Sequence, residues 1–199
     1  MDTVDSGNVI LSVSESLRYL IKNNISELSS ETAISFQSPA EIENVNETKL
    51  LVYLYQINSN PYLRNTSAGI NFHSASAKHL ASIETVIPPL AVDLLYLFVP
   101  YAKRIETELI VANKLKQLFY KVAVLKADNL QGVLKQTGNA NINIAPSELS
   151  IDAMRNIWMG FQNKSHKLSL TYLLSPIKIP SNMVEQEDMV MEVKLGNPV

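Results

Sequence analysis

Apolar positions along the chain follow two rhythms. Ile10, Val13, Leu17, Leu20 and Ile21 recur at helical spacing, and Asn23-Asn24 supplies a stop, so a helix is predicted from about Val9. The same spacing returns from Ile105 to Val122, through Leu109, Ala112, Leu115, Leu118 and Phe119. A third helix starts after Ser150, a good N-cap, with Ile151, Met154, Trp158 and Phe161 on one face.

The second rhythm is that of strands. Thr32 to Gln37 sets Ile34 and Phe36 among polar neighbours, a short half-buried strand ended by Ser38-Pro39. Leu50–Ile57 and Leu90–Val99 are apolar on both faces, which predicts two central strands. Ile142-Asn143-Ile144 reads as a short strand. Leu168, Leu170, Tyr172 and Leu174 alternate with less apolar neighbours, a strand that Pro176 and Pro180 limit to an edge or a bend.

Between these elements, Asn58 to Asn60 before Pro61 marks a turn, and the Ser- and Asn-rich stretch from Arg64 to Ser82 reads as a long excursion. Pro88-Pro89 imposes an extended entry to the next strand. Leu125 to Ala140, with Gly132 and Gly138, carries only weak periodicity. After Pro180 the chain turns polar and acidic to Asp188, then alternates loosely from Met189 to Leu195. The expected fold is α/β (α+β): a mixed, largely antiparallel sheet of four or more strands flanked by about three helices. Residues 1–180 form one domain, and 181–199 a tail or arm.

Composition narrows the function. The 199 residues are 46% hydrophobic and 18% charged, with a net charge of −2, so they suit a packed domain and leave no basic footprint for nucleic acid. Neither a secretory signal nor an apolar run of membrane-spanning length is expected. The absence of cysteine excludes disulfides, thiolate zinc sites and cysteine nucleophiles, and fits a protein assembled in the cytoplasm. No phosphate loop, nucleophile elbow or zinc-protease helix is present, and His73, His79 and His166 lack ligand-like spacing.

Neither a cofactor nor a metal is expected. Glu106 and Glu108 are two apart on a helix and read as solvated residues near its N-terminus. Asp93, inside an apolar strand, is the most conspicuous carboxylate. A structural pairing with Arg64, Lys103 or a backbone donor, or a place at a less buried edge, is favoured over a catalytic role. Trp158 reads as a core anchor.

Four stretches, taken in order, resemble the cap or tail-terminator proteins of extracellular phage-tail-like contractile injection systems, of the Photorhabdus virulence cassette and antifeeding prophage type. The first is Leu51–Asn65, a buried strand entering an N-x-x-L-R-N turn; the second is Pro88–Tyr96. The third is the helix that follows, with Leu130-Gln131-Gly132, and the fourth is Leu149–Trp158 with Leu168–Tyr172. The resemblance spans roughly residues 8–180. It departs at Arg104–Ile110, where a histidine and a leucine-glycine pair are missing, and in the excursion from Thr66 to Ile87.

The resemblance implies a tail-terminator-like fold and a non-enzymatic role. Such subunits form a ring, typically a hexamer, that ends the inner tube and sheath and holds the sheath extended. Expected partners are other copies of the chain and the tube and sheath proteins. The particle would be assembled in the cytoplasm and then released or kept cell-associated.

A cap must satisfy the groups exposed at a growing end without offering an equivalent new one, and edge-strand addition does this with main-chain hydrogen bonds. Met189, Val190, Met191, Glu192, Val193, Lys194 and Leu195 are the first candidate arm, against the plainer reading of a frayed terminus. Arg64 is the second candidate, pairing with a carboxylate of its own or a neighbouring subunit, and Tyr62 and Asn65 share its turn. A connector, a baseplate adaptor and an uncharacterised small-molecule enzyme are the alternatives.

Overall fold

The computed structural model describes residues 6–42, 47–63, 88–126, 128–162 and 164–181, and the backbone of 69–73, 82–86 and 184–188. In chain order the elements are α1 (Val9–Asn24), β1 (Ile34–Ser35), β2 (Lys49–Ser59), β3 (Gly69–His73), β4 (Ser82–Val86), β5 (Leu90–Tyr101) and α2 (Ile105–Lys121). They continue with β6 (Val124–Leu125), β7 (Ile142–Pro146), α3 (Ile151–Met159), β8 (Leu170–Ile179) and β9 (Val184–Asp188). The fold is mixed α/β. A six-stranded sheet of order β1-β2-β5-β8-β7-β6 carries three helices, and a second sheet has the order β3-β4-β9. All pairs are antiparallel except β1 with β2.

Strand alternation divides the main sheet's two faces. On one, Val52, Leu94, Phe98 and Leu174 pack with Val13 and Leu17 of α1 and with Val111 and Leu115 of α2. On the other, Leu51, Leu97 and Val99 pack with Trp158 of α3, with Phe161 and with Ile42. The larger core holds an aromatic cluster. Phe98 meets Phe119 and Tyr172 edge-on at centroid distances of 5.3 and 5.7 Å.

Gly132, in the third family-like stretch, has a direct structural cause. Its φ is +59°, and a Cβ there would lie 2.3 Å from Ser12 Oγ. Residues 131–133 lie against α1, where Ser16 Oγ accepts from the Gln131 amide at 2.9 Å and Ser12 Oγ from the Val133 amide at 3.3 Å. Both serines are buried on the helix, and each satisfies a loop amide that would otherwise be unpaired.

Two expectations need correction. The stretch read as a long excursion contains the hairpin β3–β4, paired from Gly69↔Val86 to His73↔Ser82. Within the polar segment after Pro180, residues 184–188 form β9, paired with β4.

The proline signal in β8 resolves as a bend. The strand is interior, between β5 and β7, and Pro176 falls where β7 pairing has ended at Ser175 and β5 is bulged between Val92 and Leu94. Beyond that point the Asn139 side chain replaces a neighbouring strand. Its Nδ2 donates to the Lys178 carbonyl, and its Oδ1 accepts from the Lys178 amide, both at 2.8 Å.

The second sheet repeats the strand order of part of the first. β2 leads to β3, β4 to β5 and β8 to β9, and the order β3-β4-β9 repeats β2-β5-β8. All three connections leave the main sheet at one end, where Ser59 pairs with Val92 and Leu90 with Ile179. Each connection carries proline: Pro61, Pro88-Pro89 and Pro180. Proline has no amide hydrogen to give a ladder, so the crossing points divide what would otherwise be three long strands.

Candidate assembly interface

Three polar residues meet at this end of the sheet. Asn60 directly follows β2, Asp93 sits in the β5 bulge and Ser175 lies in β8. Asp93 Oδ1 accepts from Asn60 Nδ2 at 2.8 Å and from Ser175 Oγ at 2.6 Å. Asn60 is buried, and its backbone amide donates to the Ala91 carbonyl at 2.9 Å. Its Oδ1 accepts from the amides of Tyr62 and Leu63 at 3.1 and 3.0 Å, fixing the turn.

Asp93 is therefore a structural acceptor that ties three strands together. Lys103 is excluded as its partner: it lies past the far end of β5, about 33 Å along the strand. The turn presents Tyr62, which is 92% exposed. Arg64 and Asn65, the other candidates at this turn, lie outside the described residues, as do Met189, Val190, Met191, Glu192, Val193, Lys194 and Leu195.

β2 was expected to be central, yet only its first residues are flanked on both sides. β1 pairs with Leu50 and Leu51 alone. The Leu50 amide donates outward to the Ala33 carbonyl at 2.7 Å, so Val52 and Leu54 turn their backbone groups to the same outer side. Among the described residues no strand pairs with that edge from Val52 to Ser59, and Gln56, Ile57, Asn58 and Ser59 are exposed. An open edge of this kind is a template for another strand.

The outer side of α3 forms a second surface. Ser150 Oγ caps this helix by accepting from the Ala153 amide at 3.2 Å. Within the helix only Trp158 is buried, and its Nε1 donates to Ser169 Oγ at 3.1 Å, which accords with the anchor reading. Ile151 and Met159 are 88% and 70% exposed. With Met154, Trp158 and Leu168 they line an open groove of about 780 Å³. Arg155, Lys164 and His166 complete its wall, and no carboxylate lines it.

Glu108 corrects the picture of solvated carboxylates on α2. It is 2% exposed, forms an ion pair with Lys167, and accepts from the Ala102 amide at 3.1 Å. Lys167 also lies 4.6 Å from the Tyr101 ring centroid. Burial, and secondarily the Glu108 charge, pushes the Tyr101 hydroxyl pKa up. Sequence spacing gave no sign of this pair, because its members are 59 residues apart. Glu106 remains exposed at the helix start.

Among the described residues no cluster of histidines and carboxylates could hold a metal, and no helix is long and apolar enough to cross a membrane. His73 belongs to β3, His79 lies outside the described residues, and His166 faces Trp158 with ring centroids 5.5 Å apart.

Two solved structures share the fold. One is the sheath/tube terminator of an extracellular contractile injection system, PVC, in the extended state. Its TM-score is 0.63 at 15% identity, over 96% of this chain and 62% of that one. The other is the tube-terminating cap of the anti-feeding prophage, with a TM-score of 0.56 at 17% identity, over 94% of this chain and 60% of that one. The chain thus spans about three fifths of the length of either. No curated protein matches it. Residues 12–192 match the Pvc16 N-terminal domain, so the chain belongs to the Pvc16 N-terminal domain family.

Proposed function

We propose that this protein is a structural cap subunit of a contractile injection system. It forms a homo-oligomeric ring, sixfold in the expected symmetry, that ends the inner tube and sheath and holds the extended particle together. The observation that carries this reading is the shared fold over nearly the whole chain with two terminators of such particles, within the matching family. The partners on this reading are further copies of the chain and the tube and sheath proteins. Assembly takes place in the cytoplasm before the particle is released.

The surfaces suit that role. The open β2 edge offers main-chain groups to a strand from a tube or sheath end, while the two-residue β1 blocks its start. On this reading residues 1–180 are the cap domain and 181–199 an arm that leaves through β9. The turn that presents Tyr62 follows β2 directly, where it would meet a neighbouring subunit, and Arg64 and Asn65 come next in the sequence as further candidates for that contact. Met189 to Leu195 would reach such a neighbour too.

The test is native mass measurement of the purified chain, followed by labelling it on whole particles. A ring-sized mass and label at the end opposite the baseplate support the cap. Label at the baseplate would instead assign an adaptor, and a monomer that binds neither tube nor sheath would overturn the reading.

A further inference from the structure

We propose that the α3 groove is the seat for residues 189–195 of a second copy of this chain. The inference rests on the ring reading and adds which surface joins adjacent subunits.

Three observations choose this occupant. The first is charge. The groove wall holds Arg155, Lys164 and His166 and no carboxylate, and Arg155 has no ion-pair partner among the described residues. Residues 189–195 themselves carry Glu192 and Lys194, and they follow Glu185, Glu187 and Asp188 of β9, so it is the approach to the groove that is acidic. Complementary charge of this kind sets register and partner choice.

The second is apolar pattern. Met189, Met191 and Val193 occupy alternate positions, so an extended segment would present them on one side. They span about 13 Å at the strand rise, against about 12 Å from Ile151 to Met159 along a helix. Methionine is the residue best able to fill an irregular groove lined by other flexible side chains.

The third is placement. α3 packs on Leu51, Leu97 and Val99, near the end of the sheet opposite the one from which β8 leads to β9. Residues 189–195 follow β9 directly, so the root of their arm is at the wrong end of their own sheet. The groove of an adjacent copy has no such constraint. Each subunit would then give an arm to one neighbour and take one from the other, a head-to-tail contact that closes into a ring.

The chain has no cysteine, so an engineered pair is a clean probe. Met159→Cys with Met191→Cys would be oxidised in the assembled full chain and run without reductant. The expected result is a ladder from dimer to closed ring that collapses on reduction. Tyr120→Cys with Met191→Cys, which places one thiol on exposed α2 surface, should stay monomeric. Arg155→Glu with Lys164→Glu should lower the cross-linking rate of the first pair about tenfold, and Glu192→Arg should restore part of it.

A cross-link confined to monomers would assign the groove to the chain's own arm and overturn the proposal. A ring-sized native mass without any cross-link would overturn it too while leaving the ring standing. A monomeric native mass would remove both.

Discussion

The two faces of the six-stranded sheet are built to different standards. Under α1 and α2 the packing is deep: Val13, Leu17, Val111 and Leu115 are fully buried, and Phe98, Phe119 and Tyr172 interlock edge to face. Over the other face lies α3, nine residues long, which buries Trp158 alone and leaves Ile151 and Met159 to solvent. The first face carries the larger of the two cores. The other holds back apolar surface of the kind that marks contact sites on assembling proteins.

Substitutions can break or sharpen this contrast. Phe98→Ala removes the centre of the aromatic cluster and should cost about 3–5 kcal/mol, read as a fall in the denaturant midpoint. Gly132→Ala combines left-handed backbone with a clash against Ser12 on α1. A loss of about 2–4 kcal/mol is expected by the same assay.

Tyr96 offers a pH test of the same face. Burial pushes its pKa up to about 12, partly opposed by its hydrogen bond with Ser14 at 2.8 Å. Below about pH 10 both folded and unfolded chains keep the proton, and its contribution is fully present. Between about pH 10 and 12 the unfolded chain loses it first, so stability falls as pH rises, by up to about 2–3 kcal/mol. Tyr96→Phe should flatten that part of the stability–pH curve.

Asn60→Ala removes the donor to Asp93 and the acceptor of the turn. It should cost about 1–3 kcal/mol and hasten proteolysis after Ser59. Ile151→Ser with Met159→Ser should change stability by no more than about 0.5 kcal/mol while lowering the oligomeric fraction in native mass measurements. A large loss of stability from this last pair would erase the contrast between the faces.

Periodicity revealed the elements whose cause is local. α1, α2, α3 and the hearts of β2, β5 and β8 all carry an apolar pattern that one window of sequence displays. What escaped depends on distant partners. Asn60 meets Asp93 across 33 residues and Ser175 across 115, and Glu108 is buried only because Lys167 reaches it. The strands β3, β4 and β9 consist of polar and small residues interleaved with apolar ones, so composition spoke for loop and tail. Their pairing follows instead from the order of β2, β5 and β8, which a linear reading does not contain. The same holds for the groove on α3: helical spacing sets Ile151 on one face with Met154, Trp158 and Phe161, yet within the helix only Trp158 is buried, and Ile151 is exposed beside Met159.

Electron microscopy of purified particles made with and without this protein bears most directly on the capping role. With the protein, tube and sheath should end together at a uniform length beneath a ring of density. Without it, lengths should spread and sheaths should detach or contract. Particles of normal, uniform length with firmly attached sheath in its absence would contradict the account.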